Sequence, residues 1–340
     1  MLVSQLKESV ADINEEDLDT HLGDMSLDEE ARTLTVGFEE GPAREFQFDA
    51  KLERSLSKYL GISTSYLAKC SPDLKAYNVN HWLKAKGNAA AVVQTIGEEF
   101  ASIHRPGLII LPMRQVADVI TNVFEPDNEI IDVVRSETRF MVDIKTNHHV
   151  EVPTNDAIED RRQGERAIGD ITHGGIRMFA NPTELQSPVV QRMLYRLWCT
   201  NGSTSPEAEG TISLKGKTID VLIPELEAAA RQAMSQLDQD LASYADLANR
   251  YPPGSKEAFA RQLGVEHSIP ARVMSRILDR IEILPAEATL YDIQQVFTEV
   301  ANGNLPFRTR ILLQGLAGNL AMNTDHVVHR CTSCERLLPE

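Results

Sequence analysis

Four side chains near the C-terminus are of the types that bind zinc. They fall within nine residues and are His326, His329, Cys331 and Cys334. Zinc takes thiolate and imidazole ligands in a tetrahedron, and a Cys-x-x-Cys pair lets two sulfurs bind one ion. The spacing is tighter than in a usual zinc finger, and the sequence has no second Cys-x-x-Cys pair. This tail is predicted either to bind zinc, alone or with ligands from another copy, or to be a reduced, partly exposed segment.

A second pattern is found in metal-dependent nucleases, where carboxylates hold Mg²⁺ near the scissile phosphate and a lysine helps to activate water. Asp127 follows Pro126, and Asp143 and Lys145 lie two residues apart in a segment with strand character. Alternate residues of a strand share a face, so Asp143 and Lys145 would project together. The pattern is short and arises often by chance. The alternative is a strand whose polar face meets solvent.

Other catalytic patterns are missing from the sequence. It lacks the Gly-x-Ser-x-Gly, Walker and Gly-x-Gly-x-x-Gly motifs, which position nucleophiles or bind phosphates in many enzymes. His148, His149 and His173 do not fall at a spacing that assembles a dyad or triad with cysteine or serine. Cys199 follows an apolar stretch and is predicted to be buried, as free cysteines usually are. A binding protein is therefore favoured over an enzyme, with no cofactor expected besides zinc.

Arginines are concentrated between residues 135 and 196. The planar guanidinium group binds phosphate oxygens bidentately. A helix is predicted over 189–199, and its two arginines, four residues apart, would share one face. Nine acidic residues in the same segment balance its nine basic ones, so salt bridging is the alternative. The proposed nucleic-acid contacts are Arg161, Arg162, Arg177, Arg192 and Arg196.

The composition is that of a globular protein. Of 340 residues, 42% are hydrophobic and 25% charged, close to the averages for folded domains. The formal net charge of -16 argues against a basic coat over the whole surface, but not against a local basic groove. Four cysteines make no disulfide framework, and neither a signal peptide nor a membrane-spanning apolar run is evident. These features predict a soluble protein in the cytoplasm.

The elements that must position these residues follow from the hydrophobic periodicity. Strand-like alternation at 32–38 and 44–48 predicts a hairpin, and Ser57, Gly61 and Leu67 fit either a helix-turn-helix or a packed helical hairpin. Strands are predicted at 107–112, 130–134 and 139–146, with a helix at 115–124. After residue 205 the periodicity predicts helices at 218–250, 255–264, 270–281, 289–301 and 309–321.

The predicted fold class is α+β. A small twisted antiparallel sheet backed by helices is expected in an N-terminal mixed region, and an all-helical region should follow it. The predicted organisation is an acidic helical arm (1–30), a mixed α+β core domain (31–205), a helical domain (206–322) and the tail (323–340). The arm is either a solvated helix or an acidic segment that occupies a basic groove until nucleic acid displaces it.

Two stretches resemble a protein family of phages and plasmid-like elements, known as domain of unknown function 932. They are LSKYLGISTSYLAKCSPDLKAYNVNHWL and IGDITHGGIRMFANPTELQSPVVQRMLYRLWCTNGST. Arg196, Cys199, Thr200, Asn201 and Gly202 match the Arg-x-x-Cys-Thr-Asn-Gly end of the family's central motif. The turn before it departs from the family's Asn-x-Glu, with two residues between asparagine and glutamate. The resemblance covers roughly residues 45–205 and implies no established activity.

The resemblance implies a phage accessory protein in a bacterial host. By analogy with phage single-strand annealing proteins, such a chain would form oligomers, bind single-stranded DNA and promote annealing or recombination. Stacking platforms for the bases would be Phe179, Tyr195 or Trp198. Two alternatives stay open: a Mg²⁺-dependent nuclease, and a structural, assembly or anti-defence protein whose contact surfaces are the arm and the 218–250 helix.

Overall fold

The computed structural model describes residues 1–108, 111–136, 139–152, 170–181, 186–196, 201–204, 210–211 and 218–328. Within these residues the fold is α+β, as predicted, with small antiparallel sheets in the N-terminal part and helices in the C-terminal part. No helix among the described residues is long and apolar enough to cross a membrane.

Residues 15–104 form an N-terminal unit with two three-stranded antiparallel sheets, ordered β2-β3-β4 and β1-β5-β6. Its elements are β1 (Glu15–His21), β2 (Met25–Leu27), β3 (Thr33–Val36), β4 (Arg44–Gln47), α2 (Ala50–Leu60), α3 (Thr64–Leu67), α4 (Pro72–Ala85), β5 (Ala90–Ile96) and β6 (Glu99–His104). A short helix, α1 (Leu6–Ser9), precedes them. The predicted hairpin is confirmed, with Leu34 of β3 opposite Phe46 of β4.

Helix α2 shows how local sequence sets the boundaries in this unit. The Asp49 side chain accepts hydrogen bonds from two backbone N–H groups of the first turn, which are unpaired in any helix. Leu52, Leu56 and Leu60 bury one face. Gly61 ends the helix at φ 77°, a left-handed conformation that costs glycine little. The following α3 is a single turn, so the packed helical hairpin fits better than a helix-turn-helix with a recognition helix.

The central sheet is antiparallel, in the order β11-β10-β9-β8-β7. Its strands are β7 (Glu129–Ser136), β8 (Arg139–Val152), β9 (Asp170–Asn181), β10 (Gln186–Arg196) and β11 (Asn201–Thr204), and β12 (Gly210–Thr211) also pairs with β10. Helix α5 (Met113–Val123) and helix α6 (Ile219–Ser235) pack their buried faces on this sheet through Ile144, Ile176 and Val190. The predicted strands at 130–134 and 139–146 and the 115–124 helix are thereby confirmed, whereas the described residues of the strand predicted at 107–112 belong to no strand.

The C-terminal helices surround a second core. They are α7 (Leu237–Asp246), α8 (Lys256–Glu266), α9 (Ala271–Ile283), α10 (Leu290–Ala301), α11 (Phe307–Met322) and α12 (Thr324–Val328). Buried Tyr244, Phe259 and Phe297 fill the space between them, and Leu194 of β10 reaches in from the sheet. The four predicted helices between 255 and 321 are confirmed. The predicted long helix over 218–250 divides at Gln236 into α6 and α7.

Two predictions about secondary structure are wrong. Residues 189–196 belong to strand β10, not to a helix. Both faces of this strand are covered, so its sequence lacks the alternation of polar and apolar residues that identifies a half-exposed strand. The acidic arm is not a solvated helix either. Residues 15–21 form β1, paired with β5, and Leu6 and Leu22 are buried in the two cores nearby.

Candidate functional site

The predicted nucleic-acid contact Arg177 lies inside the protein, with 3% of its surface exposed. Its Nε and Nη2 atoms each donate to an oxygen of Asp143 at 2.6 Å, and Nη1 donates to the side-chain oxygen of Gln314 at 3.0 Å. The carboxylate raises the pKa of Arg177, and burial opposes that rise. The guanidinium is thus neutralised by a protein carboxylate, which leaves it no face for a phosphate.

The other two described arginines of the predicted set also point inward. Arg192 donates to Asp240 of α7 at 2.7 Å, and Arg196 donates to Gln295 of α10 at 2.6 Å. Arg196 is only 4% exposed. Both side chains join the sheet to the C-terminal helices, Arg192 by the predicted alternative of a salt bridge and Arg196 by a hydrogen bond to a neutral amide. Arg161 and Arg162 lie outside the described residues.

The predicted nuclease residues are only partly brought together. Asp127 and Lys145 line one open pocket of about 320 Å³, which Glu129 and Asn147 also line. Lys145 forms an ion pair with Glu129. Asp143 is buried in its ion pair with Arg177 and does not line this pocket. The two carboxylates of the predicted Mg²⁺ site therefore do not converge.

No cluster of three or more potential metal ligands occurs in the part of the chain that the structure describes. Of the predicted zinc ligands, His329, Cys331 and Cys334 lie outside the described residues, as does the side chain of His326. Among the proposed stacking residues, Trp198 is also outside them. Zinc binding by the tail therefore stays a prediction.

A surface that the sequence analysis did not identify lies on α3 and α4. Four exposed side chains and the half-buried Asn78 follow one face of α4 at helical spacing, Lys86 lies at its end, and Tyr66 of α3 lies beside them. We call this the aromatic–basic surface, and its members are Tyr66, Leu74, Tyr77, Asn78, His81, Trp82 and Lys86. Tyr77 is 69% exposed, Tyr66 49% and Trp82 42%. Exposed rings grouped in this way are unusual, because large apolar side chains on a protein surface are normally exposed singly.

The rings of this surface contact one another. Tyr77 stacks on His81 with centroids 6.4 Å apart, and His81 meets Trp82 edge-on at 5.6 Å. Lys86 places its ammonium 5.5 Å from the Trp82 ring centre and donates to the backbone oxygen of Leu60, so it holds the indole against the end of α2. These contacts leave ring faces open to solvent and fix their direction.

The aromatic–basic surface lies in the most basic part of the chain. Residues 50–86 contain seven basic and two acidic residues, a formal charge of +5, although the whole chain carries -16. Lys58, Lys69 and Lys84 are exposed and form no ion pair with any described residue. Lys75, by contrast, pairs with Glu53 at 2.6 Å. The surface is thus locally cationic on an acidic protein.

Counting charge by segment reveals the basic part of this surface, but not its exposed rings, from the sequence. The hydrophobic pattern of α4 does not show which face is exposed, because both faces carry apolar residues. Ala76, Val79 and Leu83 are buried, while Tyr77 and Trp82 are exposed. A periodicity search assigns all of them to a core. The comparison with known proteins adds no further guide, since no protein-family model, curated protein or solved structure matches the chain.

Proposed function

We propose that this protein binds single-stranded nucleic acid, and single-stranded DNA in particular, through the aromatic–basic surface. The observation that carries the proposal is the row of exposed, mutually contacting rings of Tyr77, His81 and Trp82 on the one strongly cationic segment of an acidic chain. Proteins that bind single strands combine aromatic platforms for the bases with positive charge along the backbone.

The exposed rings favour unpaired bases over a duplex. A base inside a double helix already has both faces stacked, so it offers no face to a protein side chain. An unpaired base can stack on Tyr66, Tyr77 or Trp82, and each such contact contributes about 1–3 kcal/mol with little dependence on base identity. The predicted preference is therefore for single strands of any sequence.

The charge pattern favours a polyanion over an apolar protein partner. An apolar partner would bury Lys69 and Lys84 beside the rings, and burying an unpaired charge is costly. A phosphate backbone instead neutralises these ammonium groups and releases its own counterions. The acidic remainder of the chain would repel a nucleic acid and so confine it to residues 50–86.

The buried arginines take no part in this proposal. Asp143, Asp240 and Gln295 accept hydrogen bonds from Arg177, Arg192 and Arg196, respectively. Exposed lysines would therefore contact the phosphates instead.

Annealing and recombination belong to the same proposal: copies assembled side by side would present bound strands to complementary ones. Native mass with and without an oligonucleotide tests the assembly.

Binding is tested by fluorescence anisotropy of a labelled single-stranded oligonucleotide over a range of salt concentrations, with the matching duplex in parallel. For single strands the logarithm of affinity should fall with that of salt by about 0.7 for each phosphate contacted. The double variant Lys69→Glu/Lys84→Glu should weaken binding and lower this slope by up to about 1.4.

A matched control comes from α9, where Arg272 and Arg276 are exposed and lie outside the cationic segment. The double variant Arg272→Glu/Arg276→Glu makes the same change in net charge and should bind as the wild type does. Equal losses in both double variants would show that only net charge matters. Absence of binding at low salt would refute the proposed function.

The C-terminal cluster is proposed, independently, to bind zinc through His326, His329, Cys331 and Cys334. Thiolate and imidazole ligands at this spacing suit a tetrahedral ion. Zinc analysis of the purified protein should find metal that the variant Cys331→Ser/Cys334→Ser has lost. Equal zinc content in both proteins would contradict the assignment.

A further inference from the structure

Two histidines lie side by side on neighbouring strands of the central sheet. The register of β8 shifts between Lys145 and His149, and this irregularity places His149 directly opposite His173 of β9. Their ring centroids are 5.5 Å apart and the ring planes are inclined by 38°. A shifted register next to polar side chains is a common feature of functional sites in sheets.

The separation of the rings fits a shared metal ion. Zinc binds imidazole nitrogen at about 2.0–2.1 Å, so each ring centre would lie about 3.2 Å from the ion. At a tetrahedral angle, two such rings have centres about 5.2 Å apart. The observed 5.5 Å is within a few tenths of an ångström of that value.

The hydrogen bonding of the two rings leaves nitrogens for a ligand. Nδ1 of His149 lies 3.0 Å from the backbone oxygen of Asn147, the kind of outer contact that orients metal-binding histidines. Its Nε2 is the atom left for a metal. Nδ1 of His173 is buried. The backbone of Thr146 accepts a hydrogen bond from one nitrogen of this ring, which leaves the other nitrogen for a metal.

The charge of Lys145, which acts on His173, is balanced by a neighbouring carboxylate. The Lys145 ammonium is itself paired with Glu129, which limits its repulsion of a cation. Tyr195 lies opposite His173 on β10, and burial raises its pKa, which keeps the phenol protonated.

We propose that His149 and His173 form a two-histidine site for a divalent transition-metal ion of the zinc, nickel or copper class. Two imidazoles suit these metals. Water completes the coordination, because the described residues around the pair supply no third histidine, cysteine or carboxylate ligand. The site is separate from the zinc cluster proposed for the tail and from the aromatic–basic surface.

The site is tested by titrating the full chain with Ni²⁺ and with Zn²⁺ in an isothermal calorimeter. All proteins carry His326→Ala, His329→Ala, Cys331→Ser and Cys334→Ser, which removes the zinc ligands proposed for the tail. The main variant is His149→Ala, since this side chain is exposed and its loss should leave the fold intact. The matched control is His148→Ala, an exposed neighbour that pairs with Asp238 instead.

We expect one ion bound per chain in the parent and in His148→Ala, and at least about tenfold weaker binding in His149→Ala, by the loss of one of two ligands. His173→Asn should weaken binding equally, and circular dichroism would show whether it folds. Equal binding by His149→Ala and His148→Ala would overturn the proposal, as would absence of binding by the parent.

Discussion

Arg177 and Asp143 form a bidentate ion pair between neighbouring strands inside the protein, with both N–O distances at 2.6 Å. The two residues are directly opposite in the register of β9 and β8. Gln314 of α11 accepts a third hydrogen bond from the same guanidinium. One polar contact thus removes an arginine from the predicted phosphate groove and an aspartate from the predicted nuclease site, and ties the sheet to a C-terminal helix.

Breaking this pair should destabilise the fold. The variant Asp143→Ala leaves a buried guanidinium unpaired and should lower the free energy of unfolding by about 3–5 kcal/mol, as for other buried ion pairs. The measurement is urea denaturation followed by circular dichroism. The double variant Asp143→Leu/Arg177→Met should recover much of the loss, because it leaves no uncompensated charge. A loss below about 1 kcal/mol in the single variant would show that the pair is not buried.

Gly318 should be intolerant of any side chain. A Cβ atom at this position would lie 1.8 Å from the backbone oxygen of Thr204, so α11 could not keep its contact with β11. Gly318→Ala should lower the free energy of unfolding, measured by urea denaturation, by about 1–3 kcal/mol or more because the helix has to shift. The control is Gly315→Ala in the same helix, where nothing lies within 4 Å. It should be neutral or stabilising by up to about 1 kcal/mol, and equal effects would refute the packing.

Glu15 should make stability depend on pH near neutrality. Burial raises its pKa from 4.5 to about 7, although the carboxylate accepts a hydrogen bond from the backbone N–H of Met113. The folded state therefore binds this proton more tightly than the unfolded state. The stability that this tighter proton binding by Glu15 contributes is fully present below pH 4.5 and is lost as the pH rises through 7.

The variant Glu15→Gln keeps an oxygen that can accept from Met113 and removes the charge. It should match the wild type at pH 4 and exceed it at pH 8 by at most about 3 kcal/mol. Urea unfolding at both pH values measures this. Glu16→Gln serves as the control, because Glu16 is half-exposed and its hydrogen bond with Arg44 lowers its pKa. An equal gain in the free energy of unfolding at pH 8 in both variants would contradict a specific role for Glu15.

The helices after residue 255 were predictable because short sequence motifs determine where they begin. Ser255 and Thr289 cap α8 and α10 with their hydroxyl oxygens, and Pro306 directly precedes α11. Each signal acts within one turn of the helix, so it is visible in the sequence alone.

Long-range contacts were not predictable in this way. Arg192 and Asp240 are 48 positions apart, and no local pattern pairs them. The same contact explains the missed strand: Arg192 and Leu194 point from β10 towards the helices, so an arginine occupies an inward position where a pattern search expects an apolar residue. Strand β1 was missed for a related reason, since acidic residues fill an edge strand that propensity alone would not favour.

Part of the candidate site was within reach of the sequence. The excess of lysine over acidic residues in 50–86 is visible without a structure. The exposure of Tyr77 and Trp82 is not, because an aromatic residue in a helix is more often buried than exposed. Only the packing of Val79 and Leu83 against the unit's core shows which side of α4 faces solvent.

The aromatic rings should matter independently of charge. The double variant Tyr66→Ala/Tyr77→Ala removes two stacking platforms and should weaken single-strand affinity by about 2–6 kcal/mol, at 1–3 kcal/mol for each base, with the salt slope unchanged. Tyr251→Ala, at an exposed tyrosine outside the surface, is the matched control and should bind normally. Anisotropy titration compares the three proteins, and an unchanged affinity in the double variant would exclude stacking on these rings.

The most direct measurement is the fluorescence of Trp82 during titration with oligo(dT). The chain has two tryptophans, so the variant Trp198→Phe makes Trp82 the sole reporter. Stacking of a base on the indole should quench its emission in a saturable manner, with the same midpoint as the anisotropy titration. Binding seen by anisotropy without any change in Trp82 emission would place the nucleic acid elsewhere on the protein and contradict the proposed surface.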